Sequence, residues 1–149
     1  MIVIIMRKKG LGKEEGIMHQ LKVGDRFTSE LIVEEKHTAA AFGSGSIFVF
    51  STPMMIGLME NAALNCADEG LAEGYSTVGT FVNVKHTAAT PMGMKVTATA
   101  ELLEIEGKKL LFKVEAFDEM DKIGEGTHGR YIIESKPFLE RVNQKAQSK

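Results

Sequence analysis

The stretch from residue 51 to residue 67 constrains the fold more than any other part of the chain, because it predicts a helix that is apolar nearly all round. Thr52 followed by Pro53 is a strong start signal, since a threonine hydroxyl can cap the first turn and proline fits the first helical position. Gly70 or Gly74 is the expected stop. Such a helix belongs in a core. One residue conflicts with burial, because Glu60 places a carboxylate in the middle of the helix.

Composition narrows the class of protein. The chain has 149 residues and a formal net charge of −2, which suits one domain and gives no basic patch for nucleic acid or an anionic membrane. Cys66 is the only cysteine, so a disulfide framework and a cysteine metal cluster are excluded, and we expect a buried core thiol. The pattern of residues 1–9 suits neither a signal peptide nor a membrane span, and we expect a cytoplasmic protein.

The chain divides into one domain and two short flanking segments. We interpret residues 1–17 as an N-terminal extension, for which a short strand and a disordered segment both stay open. Residues 18–145 form the single domain, and residues 146–149 form a polar tail. There is no internal repeat.

Alternating residues predict an antiparallel sheet around the helix. Regular alternation over residues 77–86 puts His86 on the same face as Val78, Thr80, Val82 and Val84, and Gly79 on the opposite face. Residues 39–46 read as a small-residue loop before the apolar run 47–50. The other predicted elements are strands over 27–33, 95–105, 110–116 and 123–134, a hairpin turn at 106–109 and a short helix at 137–142. The expected class is α+β, with one long buried helix on the sheet and an exposed edge that dimerisation would cover.

Three residues are candidates for chemistry. Glu60 is a carboxylate in an apolar helix, where burial without a partner is costly; a solvent gap or a quiet ion pair is the competing explanation. His86 ends a strand on an inward face, where a carboxylate would be a natural partner, although a structural role is common for such a histidine. Thr52 is already explained as a cap, yet a capping hydroxyl lies beside free amides that favour developing negative charge. No metal-ligand spacing connects His19, His37, His86 and His128, so no metal site is predicted.

Four strings of residues together resemble the fluoroacetyl-CoA thioesterase type of hotdog-fold protein. They are Thr52-Pro-Met-Met-Ile-Gly-Leu-Met-Glu60-Asn-Ala-Ala, Gly79-Thr80, Val84-Lys-His86-Thr-Ala-Ala-Thr-Pro and Ile123-Gly-Glu-Gly-Thr-His128-Gly-Arg130. The resemblance implies a hotdog-fold homodimer, which could assemble further, with an acyl-CoA substrate and no cofactor besides the CoA of that substrate. It implies Thr52, Glu60 and His86 as the catalytic set, the Gly79 amide near the thioester carbonyl, and Arg130 near the acyl or CoA end. The short stretch Ala39 to Ser46 departs from the longer aromatic lid of the fluoroacetyl-specific members, so a short-chain acyl-CoA is the expected substrate.

The chemistry and the geometry leave several alternatives. Glu60 could attack the thioester to give an anhydride or act as general base for water, with His86 handling protons and Thr52 positioning the carbonyl or water. Thr52 and Glu60 are roughly 12 Å apart along a regular helix, at about 1.5 Å per residue. Either Thr52 folds back from the preceding loop or a second subunit completes the site, and we predict a site shared between subunits at a dimer interface. A non-catalytic acyl-CoA-binding module is the alternative function, and a hydratase is a weaker third.

Overall fold

The structure is a computed structural model that describes residues 2–5, 16, 17 and 20–149, and its main element is a six-stranded antiparallel sheet. The strands are β1 (Ile2–Ile5), β2 (Arg26–Ile32), β3 (Tyr75–His86), β4 (Lys95–Glu106), β5 (Lys109–Phe117) and β6 (Lys122–Glu134). Their order across the sheet is β1-β2-β4-β5-β6-β3. β3 therefore lies at an edge of the sheet and pairs only with β6 among the described strands.

One helix, α2 (Thr52–Asp68), packs across the sheet and contacts β2, β3, β4, β5 and β6. The predicted alternation on β4 and β5 supplies the opposing apolar surface, since every second residue is buried over 96–102 of β4 and over 110–116 of β5. The long buried helix and the α+β arrangement expected from the sequence are therefore confirmed. The most buried side chains of α2 are Met55, Leu58, Met59, Ala62, Ala63 and Ala67.

The start of α2 differs from the prediction by one residue. Ser51, not Thr52, is the N-cap, and its hydroxyl accepts a hydrogen bond from the Met54 amide at 3.3 Å. Pro53 still lies in the first turn, where a missing N–H leaves no bond unmade. The physical consequence is that the hydroxyl of Thr52 is not used by the cap.

The stretch before α2 is more ordered than a plain loop. Residues 39–42 form a short helix, α1 (Ala39–Phe42), because Thr38 caps it by accepting a hydrogen bond from the Ala41 amide. The apolar run that follows is mostly at the surface: Ile47 is 63% exposed and Phe48 is 55% exposed, whereas Phe50 is buried. The prediction of a small-residue loop over 39–46 is thus wrong for its first half.

A β-bulge in β3 corrects the predicted alternation. Gly79 pairs with Arg130 and Phe81 pairs with Gly129, so Thr80 is an extra residue between them. The bulge reverses the parity of the strand, and Thr77 and Gly79 before it share the helix-facing side with His86 after it. The prediction that Gly79 and His86 lie on opposite faces is therefore wrong.

The glycines of β6 let β3 approach closely. A Cβ atom added to Gly126 would collide with the backbone of Asn83 and Val84, and one added to Gly129 would collide with the ring of Phe81. Glycine at these two positions therefore permits the close approach of β3.

The two ends of the chain form a strand and a helix. Residues 2–5 of the predicted extension pair with β2 as a strand, whereas residues 6–15 lie outside the described residues, as does His19. The terminal helix α3 (Ser135–Gln147) is longer than predicted and includes the start of the expected polar tail. No described helix is long and apolar enough to cross a membrane.

Candidate active site

Two of the predicted residues meet directly. Oγ1 of Thr52, in the first turn of α2, lies 2.8 Å from Nδ1 of His86 at the end of β3. The contact is possible because the Ser51 hydroxyl, not that of Thr52, caps the helix and because His86 lies on the helix-facing side of β3. A hydroxyl and an imidazole in hydrogen-bond contact can exchange a proton or hold a water or carbonyl between them.

The other ring nitrogen of His86 has an unusual environment. Nε2 is shielded from solvent and forms no well-aligned hydrogen bond with any residue that the structure describes. Burial lowers the pKa of His86, and a hydrogen bond with the Ala88 backbone opposes that shift. The imidazole is therefore held mainly by its own chain, with Thr52 as its side-chain partner.

A cavity opens beside this pair. It has a volume of about 380 Å³ and is lined by Thr52, His86, the larger Val49 and Phe50, and small side chains such as Ala39 and Ser44. Ala39 and Ser44 belong to the stretch before α2 that the sequence marked as a short, small-residue segment. The cavity can therefore receive a small group close to the Thr52–His86 contact.

Glu60 lies in a second cluster at the other end of β3. Its Oε2 is 4.0 Å from Nη1 of Arg130, and a Cβ atom placed on Gly79 would lie 3.1 Å from the same oxygen. The side chain of Glu60 is 41% exposed, which favours the solvent gap and ion pair weighed for it from the sequence over full burial. The carboxylate can thus be reached from outside the single chain.

Arg130 is held rigidly in this cluster. Its side chain is 7% exposed; Nε donates to Oγ1 of Thr77 at 2.6 Å, and Nη2 donates to the Thr77 carbonyl at 2.9 Å. Nη1 lies 3.1 Å from Nε2 of His128. Burial lowers the pKa of Arg130, while Glu60 and Asp68 oppose the shift; the guanidinium remains charged at neutral pH.

The two clusters are separate within one chain. The strand between Gly79 and His86 spans seven residue steps, which is at most roughly 23 Å at about 3.3 Å per residue. Thr52 and His86 therefore come together, whereas Glu60, Gly79 and Arg130 form the other half. No hydrogen bond or ion pair that the structure gives for the described residues joins Glu60 to Thr52 or His86.

Sequence reasoning missed two members of the Glu60 cluster. The sequence pattern assigns no role to His128 or Thr77, yet both contact Arg130 in the structure. Their pairing depends on the β3–β6 register, in which Val82 lies opposite His128. A weak signal was available, because residues 128 and 130 lie two apart on a strand and so share a face.

The described residues contain no group of three or more histidine, cysteine, aspartate or glutamate side chains arranged to hold a metal ion. The chemistry of the two clusters is that of a hydroxyl, an imidazole, a carboxylate and a guanidinium.

Comparisons with known proteins identify relatives of this arrangement. Residues 33–136 match the family model described as fluoroacetyl-CoA-specific thioesterase. The chain is 40% identical over 131 residues to the fluoroacetyl-CoA thioesterase of Streptantibioticus cattleyicolor, covering 84% of this chain and 94% of that protein.

Solved structures agree with this match. A crystal structure of a fluoroacetyl-CoA-specific thioesterase variant in complex with fluoroacetate and CoA is 40% identical, with a TM-score of 0.74 over 79% of this chain and 99% of that one. A hot-dog-like protein from Thermanaerovibrio acidaminovorans shares the fold at 23% identity, with a TM-score of 0.75 over 83% of this chain and 91% of that one. The sheet and its central helix therefore form a hotdog fold.

Proposed function

The chain belongs to the fluoroacetyl-CoA-specific thioesterase family, and from that premise we propose that it hydrolyses short-chain acyl-CoA at a site shared by two subunits. The enzyme is a thioester hydrolase, as its curated relative is. The proposal adds the substrate range, the dimer and the roles of Thr52, Glu60 and His86.

The observation that carries the shared site is the separation of two groups within one chain: Thr52 contacts His86, whereas Glu60 lies beside Gly79 and Arg130. Among the described residues, no hydrogen bond or ion pair joins Glu60 to His86. Glu60 is partly exposed. Glu60 of a second subunit would complete the set beside Thr52 and His86.

The edge of the sheet offers a way to bring the two together. β3 pairs only with β6 among the described strands, and its other edge is unpaired. If two β3 strands paired antiparallel about a two-fold axis near Val82 and Asn83, the Gly79 end of each would lie beside the His86 end of the other. Phe81 and Val82, which are 48% and 37% exposed, would be covered. An isologous pairing of this kind makes two identical sites per dimer.

The residues present can perform thioester hydrolysis by either of two routes. In the first, Glu60 takes a proton from water, the water oxygen attacks the carbonyl carbon, and the C–S bond breaks to release CoA thiolate. In the second, the Glu60 carboxylate attacks, thiolate leaves, and water opens the resulting anhydride. In both, the Gly79 amide faces the carbonyl oxygen that becomes negative, and Thr52 with His86 orients the reacting groups and returns a proton. Rapid-quench mass spectrometry of the peptide containing Glu60 separates the routes, since only the second gives an acyl adduct there.

The cavity beside Thr52 supports a short acyl group rather than a strictly fluorinated one. From residues 39–46, only the small side chains Ala39 and Ser44 line the cavity. Phe42, the aromatic residue of that stretch, is 55% exposed. A site of this kind discriminates weakly between acyl groups that differ by one methylene, by about 1–3 kcal/mol.

A free-thiol assay over a panel of short acyl-CoAs, fluoroacetyl-CoA included, tests the reaction. We expect turnover of several acyl groups, and a loss of about 100-fold or more in kcat for Glu60→Ala and His86→Ala. Glu73→Gln, in the exposed loop after α2, is the matched control and should retain wild-type kcat. CoA binding without turnover of any acyl-CoA would instead identify a binding module.

Subunit complementation tests the shared site. Equal amounts of the Glu60→Ala and His86→Ala proteins are mixed, unfolded and refolded together. If each site uses Glu60 of one subunit and His86 of the other, half of the dimers contain one intact site, and activity recovers to about a quarter of the wild-type value. If each site were built within one chain, the mixture would stay as inactive as its components.

A further inference from the structure

A buried histidine behind Glu60 has a single arrangement of its proton that satisfies all its contacts. His128 is 1% exposed; its Nε2 lies 3.1 Å from Nη1 of Arg130, and its Nδ1 lies 2.8 Å from the carbonyl oxygen of Phe81. Guanidinium can only donate hydrogen bonds, so Nε2 must accept and carries no proton. Nδ1 therefore holds the proton of a neutral imidazole and donates it to Phe81.

These two hydrogen bonds connect His128 to the Glu60 carboxylate and to the Gly79 amide. On one side, Arg130 is fixed by Thr77 and faces Glu60 across 4.0 Å. On the other side, Phe81 directly follows the bulge residue Thr80, and Gly79 directly precedes it. His128 is thus connected to the carboxylate through Arg130 and to the Gly79 amide through the bulge.

We propose that neutral His128 is a positioning residue for thioester hydrolysis, which fixes the Gly79 amide through Phe81 and the Glu60 carboxylate through Arg130. This inference rests on the roles proposed above for Glu60 and Gly79. Protonation of Nε2 would set an N–H against the guanidinium and break the link to Arg130. Burial lowers the pKa of His128, and Arg130 acts in the same direction, whereas the Phe81 carbonyl and Glu60 oppose them. The remaining carboxylate that acts on Arg130 is Asp68 of α2.

Two substitutions separate the links. His128→Phe removes both hydrogen bonds and keeps an aromatic ring, while His128→Gln keeps an acceptor in reach of Arg130 and loses the ring geometry at Phe81. We expect kcat to fall about 10- to 100-fold in His128→Phe, the scale of a displaced catalytic group, with KM within about threefold of wild type. The kcat of His128→Gln should lie between that of His128→Phe and that of the wild type. Leu102→Ala, a buried side chain of β4 with β5 between it and β6, is the control for lost stability and should retain wild-type kcat when folded.

A double-mutant cycle tests whether the effect passes through Arg130. In an Arg130→Met background, His128→Phe should cost less kcat than it does in the wild type, because the Arg130 link is already gone and only the Phe81 link remains to be lost. Additive losses, wild-type kcat in a folded His128→Phe protein, or an equal loss in Leu102→Ala would each overturn the proposal.

Imidazole ¹⁵N spectra of the wild-type protein provide a readout that needs no turnover. The His128 resonances, assigned by their absence from His128→Gln, should show a protonated Nδ1 and a bare Nε2 at neutral pH. An imidazolium or the Nε2–H tautomer would overturn the proposal even if His128→Phe failed to fold. Absence of thiol release from the wild-type protein would instead contradict the proposed function and leave this spectrum to decide the tautomer.

Discussion

Oγ1 of Thr52 contacts Nδ1 of His86 at 2.8 Å, while the hydroxyl of Ser51, one residue earlier, accepts the Met54 amide at the start of the same helix. Two adjacent hydroxyls therefore divide two tasks, one structural and one toward the imidazole. This division makes stability and catalysis separable at the start of α2.

Substitution of Thr52 should affect turnover more than stability. Thr52→Val removes the hydroxyl that contacts His86 and leaves the cap in place. We expect kcat to fall about tenfold or more, because a hydrogen bond of about 1.4 kcal/mol corresponds to a factor of ten in rate. Thr52→Ser keeps a hydroxyl and should recover most of the activity in the thiol assay.

Substitution of Ser51 should give the opposite pattern. Ser51→Ala removes the N-cap, which costs about 1 kcal/mol in the free energy of unfolding, measured by urea denaturation. Its kcat should stay much closer to wild type than that of Thr52→Val. If Ser51→Ala lost as much activity as Thr52→Val, the two hydroxyls would not have separate tasks.

The sequence predicted the long elements well because their signals are local. Apolar residues around α2 and strict alternation along β4 and β5 specify a buried helix and half-buried strands without knowledge of the partner. The resemblance then selected Thr52, Glu60 and His86. The structure brings Thr52 and His86 into contact, and the meeting of Glu60 with them remains a proposal.

The failures came from features that depend on single residues or on pairing. The cap moved from Thr52 to Ser51 because both hydroxyls suit that position, and a pattern cannot decide between neighbours. The bulge at Thr80 arises from the register with β6, so alternation along β3 alone could not reveal it. His128 contacts Phe81 and Arg130 contacts Thr77 across the β3–β6 pair. The sequence of one strand alone does not predict these contacts.

Gly79 should tolerate a methyl group structurally and lose activity. A Cβ atom there would lie 3.1 Å from Oε2 of Glu60 and 3.3 Å from Cε1 of His128, so Gly79→Ala must displace the carboxylate by a few tenths of an ångström. We expect kcat to fall about tenfold or more, since small misplacements of catalytic groups are costly.

Gly57→Ala is the matched control for Gly79→Ala. Gly57 lies within α2, and a Cβ atom there meets no atom of the described residues within 4 Å. Alanine in a helix interior is favoured over glycine by roughly 0.5–1 kcal/mol, so the melting temperature should rise and kcat should hold. Equal losses of kcat in both variants would mean that any added methyl group near α2 disturbs the site.

Gly126→Ala should destabilise the β3–β6 pair. The added Cβ atom would overlap the backbone of Asn83 and Val84, which cannot rotate away as a side chain could. We expect a loss of about 2–3 kcal/mol in the free energy of unfolding, in the upper range for point substitutions. Hydrogen exchange should show the loss concentrated in amides of β3 and β6, and uniform protection across all strands would contradict this assignment.

Stability should decline as the pH falls below about 6.5, because burial lowers the pKa of His37, His86 and His128 from that ordinary value. Below pH 6.5 the unfolded chain binds protons on these histidines while the folded chain does not, so the free energy of unfolding falls with falling pH, by at most about 1.4 kcal/mol per histidine and pH unit. Glu34, Glu115 and Asp118 have lowered pKa values and add a loss in the same direction at more acid pH.

Urea denaturation between pH 7.5 and pH 5, at roughly half-unit steps, measures the slope of the free energy of unfolding against pH. His128→Phe should reduce that slope relative to wild type, because one of the three groups is removed, whereas an unchanged slope would mean that His128 titrates alike in both states.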